Sequence, residues 1–558
     1  MNIVQWYGIG LATLAAIIVT ASHLRPLLPF WLLRYIVYPR LHPLISITGD
    51  TTRFRAMVLV IFLIGNVICS GIGVESTSDL AKRTGQLFII NAIPLFLGGK
   101  IGPLVNILHI QYEDFARAHR WLGRVAAAHA AVHIAVAASA KPEFQSLSQF
   151  AGLIAASALC AILLLSLGVL WRLKYELFAK LHVALAVLIL LATWMHVASG
   201  SIFRPPEAYI LAACCTYGGA SVMWFMHIVY RNYSIRGPFT RAKIFKTSAS
   251  STQVVLLELE LPRPCNFRSG QFVYVRFLTL SNLAFLQSHP FYVYAWEEDR
   301  LFLLVEVKSG FTASLLTENT PLLQERGTSV DDGSGVRAMV EGPFGKPIDL
   351  QSYSTIALFA KDIGIVTQLS YLRKWLRDLQ GPFKVITERI TLFWEVEAEA
   401  HIYWVMDDMH ELLKMDVKHM LRIHVFVKDN YIWPNQRRGD TKPAEKVNHA
   451  WPDRIFTHYY PIDAEAEVKA ILEKPGQTDQ DSDKTNTNSD EKTVIAGQCI
   501  NMRSLANSSP CAQSVRTILR PLAYSVRSAV QQGRIFRWKF STLFKNAVKH
   551  MSHLFVLC

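Results

Sequence analysis

Two stretches decide how this 558-residue chain is read: HRWLGRVAAAHAAVH, residues 119–133, and LHVALAVLILLATWMH, residues 181–196. Each carries a histidine pair 14 residues apart, His119 with His133 and His182 with His196. On an α-helix that spacing falls about 40° short of four full turns and rises about 21 Å, so both members of a pair face the same way at different depths. An imidazole in hydrocarbon is costly unless it is paired or ligated. Four of them at matched depths on two apolar helices point to shared ligands, and two bis-histidine haems, one near each membrane leaflet, fit the pattern. His129 lies about 80° off the ligand face and is the competing ligand on the first of these helices.

Outward from these stretches, the chain is 51% apolar and 18% charged, which implies membrane and soluble parts and more than one domain. The net charge of +14 does not indicate nucleic-acid binding, because no basic stretch is interleaved with aromatics for base stacking and membrane proteins concentrate Lys and Arg in cytoplasmic loops. The eight cysteines, at 69, 160, 214, 215, 265, 499, 511 and 558, contain no CxxC and imply neither a disulfide scaffold nor a zinc site.

Apolar runs at 3–21, 56–75, 86–108, 120–139, 150–171, 179–199 and 208–229 give seven expected membrane helices. The first has no basic leader and no small-residue cleavage site before Arg25, which favours an uncleaved span over a signal peptide. Placing the loops after helices one, three, five and seven inside gathers Arg25, Arg34, Arg40, Arg53, Arg55, Arg117, Arg120, Arg124, Arg172, Lys174, Lys180, Arg231 and Arg236 there, against Lys82, Arg83, Lys141 and Arg204 outside. The N-terminus is then external and everything after residue 230 cytoplasmic. Helices four and six run the same way, so His119 should meet His182 near the inner face and His133 should meet His196 near the outer one. Arg120 and Arg124 lie where haem propionates would emerge, or are ordinary positive-inside flanks. Lys100, within LFLGGKIGPLV, is read as the mark of a distorted span.

From residue 240 the texture changes. TQVVLLELEL, GQFVYVRFL, HPFYVYAW and RLFLLVEVK alternate like strands of an antiparallel barrel of about 100 residues. STIALFAKDIGIVTQLSYLRKWL, from Ser354, reads as a buried strand, a turn and an amphipathic helix, and the segments up to LRIHVFVKD repeat that alternation, as in a parallel nucleotide-binding sheet. Residues 473–492 are polar and nearly free of apolar groups, a disordered insertion or loop. The last forty residues mix Arg516, Arg520, Arg527, Arg534, Arg537, Lys539, Lys545 and Lys549 with Leu, Phe and Trp, as a membrane-surface segment or a helix packed on the nucleotide domain would.

The order of these parts, with HRWLGR at 119–124, the four histidines, RSGQFVYV at 268–275, HPFYVYAW at 289–296, SGFT at 309–312 and EGPFG at 341–345, resembles the fungal ferric reductase transmembrane components within the wider flavocytochrome b family that includes the NADPH oxidases. The resemblance covers roughly residues 50–430. It implies a multi-domain membrane protein: an N-terminal helix and loop at 1–50, an α-helical transmembrane haem bundle at 51–235, an antiparallel β-barrel FAD-binding domain at 236–348, and an α/β NADPH-binding domain of the ferredoxin reductase type at 349–558. His119, His133, His182 and His196 would hold two haem b groups. His289, Pro290 and Phe291 would bind FAD, with Tyr292 where many members carry Thr or Ser. Gly310 and Thr312 would approach a phosphate, and Gly342, Pro343 and Gly345 would form the turn between the soluble domains.

Two departures from the family stand out. The nucleotide turn reads Ala360-Lys361-Asp362-Ile363-Gly364-Ile365, with Asp362 where a glycine is usual; a carboxylate there repels a pyrophosphate and obstructs its approach. The closing Cys-Gly-Pro is reduced to Cys499 followed by Ile500 and Asn501. Gly364, Ile365 and Cys499 remain the candidate NADPH contacts. The resemblance implies a plasma-membrane metalloreductase that passes electrons from NADPH through FAD and two haems to extracellular ferric or cupric chelates, with membrane lipid and downstream iron or copper uptake proteins as partners and no nucleic acid. Its alternatives are a superoxide-producing NADPH oxidase and a non-catalytic haem protein with a degenerate dehydrogenase half.

Overall fold

The computed structural model describes residues 2–23, 32–37, 52–100, 102, 104, 108, 112–139, 146–167, 175–197, 200–235, 239–246, 254–278, 287–308, 311–316, 335–345, 347–348, 350–351, 353–381, 386–428, 454–473, 493–499 and 555–557. The polar segment 474–492, the basic residues from Arg516 to Lys549, and Gly310 lie outside them. The chain divides into two compact units, Met1–Tyr230 and Arg231–Cys558.

The first unit is helical: α1 (Ile3–His23), α2 (Arg53–Gly71), α3 (Thr77–Ala92), α4 (Tyr112–Ser139), α5 (Leu147–Leu165), α6 (Tyr175–Val197) and α7, Glu207–Asn232, whose last turn runs into the second unit. Among the described residues six of these, all but α3, are long and apolar enough to cross a membrane, and the protein is an integral membrane protein. The third expected span, 86–108, includes residues 101, 103 and 105–107, which lie outside the described ones, and its described part is not one continuous helix. α3 starts at Thr77, capped by the Ser76 hydroxyl, which accepts the Asp79 N–H at 3.1 Å. Its first turns carry Asp79, Lys82 and Arg83, too polar for a membrane span. Pro94 cannot donate to the carbonyl four residues back, and the chain passes into a 3-10 segment, Ile93–Lys100, broken by Gly98 at φ 47°. The distortion expected around Lys100 is present.

A polar chain ties α1, α2, α3 and α4 together. Tyr7 donates its hydroxyl to Asn91 Oδ1 at 2.7 Å, Asn91 donates to Asn66 Oδ1 at 2.9 Å, and Ser70 donates to the Asn66 carbonyl at 2.8 Å. Ser70 also meets His129 Nε2 at 3.1 Å. In hydrocarbon an unpaired amide has no water to turn to, so such a chain fixes which helix faces meet.

The second unit contains two sheets. β1 (Arg241–Lys246), β2 (Val254–Glu260), β3 (Phe272–Phe277), β4 (His289–Tyr292), β5 (Ala295–Trp296), β6 (Arg300–Glu306) and β7 (Val336–Phe344) form a seven-stranded antiparallel sheet in the order β4-β3-β7-β1-β2-β6-β5. Val255, Leu257 and Leu259 of β2 join Val273, Val275, Phe291 and Leu303 in the core of this curled sheet. Val254 and Leu256 face the opposite way, into a second core shared with the parallel sheet. Burial on both faces explains why VVLLELE lacks a clean polar alternation.

The parallel sheet runs β11-β10-β9-β8-β12-β13, from β8 (Thr355–Lys361), β9 (Arg389–Val396), β10 (Leu421–Val427), β11 (Ile455–His458), β12 (Thr493–Cys499) and β13 (Phe555–Leu557). Its helices are α8 (Ile365–Gln380), α9 (Met406–Met415) and α10 (Ala464–Glu473). α8 is buried from Ile365 through Leu372. Replacing Asn91 by Ala should strand the Tyr7 hydroxyl and Asn66 Oδ1 and cost about 1 kcal/mol, read as a lowered midpoint for unfolding of the detergent-solubilised protein.

Candidate functional site

The histidines of α4 and α6 face one another in two ring pairs. His119 and His182 have ring centres 6.2 Å apart and planes at 53°. For His133 and His196 the values are 6.1 Å and 79°. An imidazole nitrogen lies about 1.1 Å from its ring centre and bonds a metal at about 2.0 Å, so two rings on opposite sides of one metal ion stand with centres about 6.2 Å apart. Both pairs match that spacing.

Buried polar atoms add to the fit. His119 Nδ1 and His182 Nδ1 are buried with no hydrogen-bond partner among the described residues. His133 and His196 each turn Nδ1 onto a backbone carbonyl, of Ala81 and Ser148 respectively, both at 2.8 Å. His129, the competitor, points instead to Ser70. Arg120 and Arg124 are exposed, and the Arg124 guanidinium lies 4.8 Å over the Trp121 ring.

In the second unit, β4 pairs with β3 so that His289 lies opposite Val275 and Phe291 opposite Val273. Side chains alternate across a strand, and Phe291 is spent on the core of the curled sheet at 2% exposure. The His289 ring stacks on Phe311 at 4.0 Å, and burial pushes its pKa down to about 4. Pro290 and Tyr292 face the other way. There Phe272, Tyr274, Tyr292 and Phe344 form an aromatic cluster with ring centres 5.7–5.8 Å apart. The aromatic face of this strand is therefore carried by Tyr292 and its neighbours, a consequence of period two that the tripeptide alone does not reveal. The Thr312 hydroxyl is engaged locally, accepting from Lys308 N at 2.8 Å. Gly342, at φ 133°, holds a conformation that strains any side chain, and a Cβ there would crowd Val273 Cγ1 at 3.2 Å and the Phe272 carbonyl oxygen at 3.3 Å; Gly345 has φ 97°.

β8 is flanked by β9 on one side and β12 on the other, which makes the carboxyl end of β8 a topological switch point, where ligands of parallel sheets bind. Lys361 ends β8 opposite Cys499 at the end of β12, so strand register brings the distant Cys499 backbone beside the turn. Asp362 occupies the left-handed region at φ 46°, a conformation glycine adopts freely and aspartate tolerates. Its Oδ1 accepts the Glu397 N–H at 3.2 Å, and its carbonyl accepts from Trp394 Nε1 at 2.9 Å. Burial pushes the Asp362 carboxyl up to about 6; Lys361 opposes this, and Glu306 and Glu397 reinforce it. Gly364 and Ile365 are buried in ordinary right-handed conformation at the start of α8.

A cluster invisible in the sequence joins the two sheets. Arg373 of α8 donates to the Tyr294 carbonyl at 3.1 Å, lies 4.4 Å over the Tyr294 ring, and pairs with Asp408 of α9, which also accepts from the Tyr294 hydroxyl.

The model named ferric reductase like transmembrane component matches residues 84–193, and that of an FAD-binding domain matches residues 239–348. Relatives include ferric reductase transmembrane component 6 of Saccharomyces cerevisiae, 25% identical over 55% of this chain and 42% of that protein. Ferric/cupric reductase transmembrane component 1 of Candida albicans is 24% identical over 66% of this chain and 48% of that one. Respiratory burst oxidase homolog protein B of Arabidopsis thaliana is 23% identical over 37% of this chain and 27% of its own length. The chain spans about half the length of the ferric reductases it matches. Among solved structures, ferredoxin-NADP+ reductase from Plasmodium falciparum is 14% identical over 52% of this chain and 94% of that one at a TM-score of 0.30, a likeness too slight to bear on function.

An acid whose folded pKa is raised is stabilising only while protonated, so its contribution is present at low pH and lost as pH rises through the folded value. Stability should fall by on the order of 2 kcal/mol between about pH 4 and pH 6 because of Asp362. Asp362→Asn should remove that slope, checked by thermal unfolding of the two solubilised proteins across this range. With membrane helices, a facing pair of imidazole columns and a curled antiparallel sheet in one chain, the protein carries a ferric reductase like transmembrane component over residues 84–193 and an FAD-binding domain over residues 239–348, and is a homologue of the yeast and Candida ferric reductase transmembrane components.

Proposed function

We propose that the chain is a transmembrane metalloreductase of the plasma membrane, moving electrons from cytosolic NADPH through FAD and two bis-histidine haems to extracellular ferric or cupric chelates. The observation that carries the proposal is the spacing of the two imidazole pairs, 6.2 and 6.1 Å between ring centres. In this reading residues 1–50 contribute a first helix and loop, 51–235 the haem bundle, 236–348 the flavin domain and 349–558 the NADPH domain. Flavin and haem together would convert a two-electron donor into single-electron steps across a hydrocarbon core about 30 Å thick.

The residues divide this work. His119 and His182 would hold the inner haem, His133 and His196 the outer one. A haem held by two histidines would favour electron transfer over oxygen binding at the metal. The faces of Tyr274 and Tyr292 and the backbone near His289 and Thr312 are the candidate flavin contacts. The carboxyl edge of β8 and β12, with Lys361, Gly364, Ile365 and Cys499, is the candidate NADPH edge. In this reading the short connections on the external side, such as 72–76 between α2 and α3 and the segment near 200–207, would leave a small acceptor such as a metal chelate access.

A second reading, a haem protein with a degenerate dehydrogenase half, is favoured by Asp362. Its carboxyl group occupies the turn, where it accepts the Glu397 N–H. An anaerobic absorbance titration of the purified protein with NADPH separates the two. Full haem reduction at stoichiometric flavin supports the reductase, whereas haem and flavin content without NADPH-dependent reduction supports the degenerate form. Under the reductase reading, His133→Leu should halve the haem content and abolish ferric chelate reduction while leaving NADPH-dependent flavin bleaching intact. Parallel oxygen-uptake measurements distinguish a superoxide-producing oxidase.

A further inference from the structure

The two histidine pairs do not have the same surroundings. Ala81 and Gly85 stand four residues apart on α3, and Ser148 and Gly152 four apart on α5. In each case the carbonyl of the first residue takes a histidine Nδ1 at 2.8 Å. In each case the glycine lies against the same ring. A Cβ at Gly85 would stand 3.1 Å from His133 Nδ1, and one at Gly152 would stand 2.8 Å from His196 Nδ1 and 2.9 Å from Cε1.

The spacing has a physical reason. A helical side chain leans toward the N-terminus over the preceding turn, so the residue at i+4 screens the carbonyl at i from a lateral donor. Glycine leaves that carbonyl open. Because a carbonyl can only accept, Nδ1 must carry the ring proton, and the neutral imidazole presents Nε2 as its free lone pair. Ser148 adds a second tie, its hydroxyl donating to the His196 carbonyl at 2.6 Å. His119 and His182 have no counterpart among the described residues: their Nδ1 atoms are buried without a partner.

We infer that Gly85 and Gly152 are positioning residues that open the Ala81 and Ser148 carbonyls to His133 and His196, giving that pair a fixed tautomer, a fixed ring plane and greater basicity than the His119–His182 pair. The inference rests on the bis-histidine haem reading above. A ligand imidazole that donates its other N–H to a carbonyl is a stronger electron donor and favours the oxidised iron. The two sites therefore differ in potential and in the angle between ligand planes, 79° against 53°. The two glycines also differ in tolerance, because the Gly152 contact is below any distance a real Cβ adopts whereas the Gly85 contact can be relieved by a small shift.

The test uses the full chain in detergent with its haems as purified. Low-spin ferric electron paramagnetic resonance should show two signals, the more anisotropic belonging to the pair with nearly perpendicular planes. Gly85→Ala should keep both haems, move that signal alone and raise one of the two midpoint potentials. Gly152→Ala should lose that signal and one haem of two while the other signal stays in place. Gly218→Ala on α7, where a Cβ meets nothing within 4 Å, is the control and should change neither signal. Two haems with both signals and both potentials unmoved in Gly85→Ala and Gly152→Ala would overturn the inference while leaving the haem reading intact. A purified wild-type protein without haem would instead overturn the reading beneath it.

Discussion

Four imidazoles facing each other in pairs between two membrane helices are the constraint on which the first unit depends. A lone imidazole in hydrocarbon is a liability unless it is paired or ligated. Tyr7, Asn66, Asn91 and Ser70 satisfy one another through direct hydrogen bonds. The histidines of α4 and α6 do not bond each other; they stop at a distance that fits one metal between each pair. The neighbouring helices are shaped around them, as Gly85 and Gly152 show.

The second unit solves a different problem, burying a sheet on both faces. The curled antiparallel sheet keeps one apolar core to itself and lends its other face to the core that contains α8 and the parallel sheet. One result is that the aromatic groups available outside the curled core are Phe272, Tyr274, Tyr292 and Phe344, while Phe291 is committed within it. Another is the Tyr294–Arg373–Asp408 cluster, which pins the β4–β5 segment to α8 and α9. Asp362 belongs to the same economy of space. Held in left-handed conformation by bonds from Glu397 and Trp394, it closes the turn with its own carboxylate.

Relatedness and geometry bear on different halves of the chain. The family matches cover His119, His133 and His182, stop at residue 193 just short of His196, resume over the antiparallel sheet, and end before β8. The parallel sheet beyond them carries the two departures, Asp362 and Cys499, yet its strand order still creates a switch point at their position.

The helical spacing of the four histidines, the strand runs from residue 254 and the alternation after residue 354 were legible in the linear chain, because periods of 3.6 and 2 are local properties. So was the anomaly at Asp362, since one turn position demands glycine-like dihedrals wherever it occurs. The described part of the expected span 86–108 is not one continuous helix, because hydropathy does not register that Pro94 withdraws a backbone donor. Which face of HPFY meets the core depended on β3–β4 register, and Cys499 reached Lys361 only through pairing of strands more than a hundred residues apart. The open carbonyls beside Gly85 and Gly152 were likewise settled only by the tertiary structure, for the reason common to these cases: no local period records which residue of another segment will arrive within hydrogen-bonding distance.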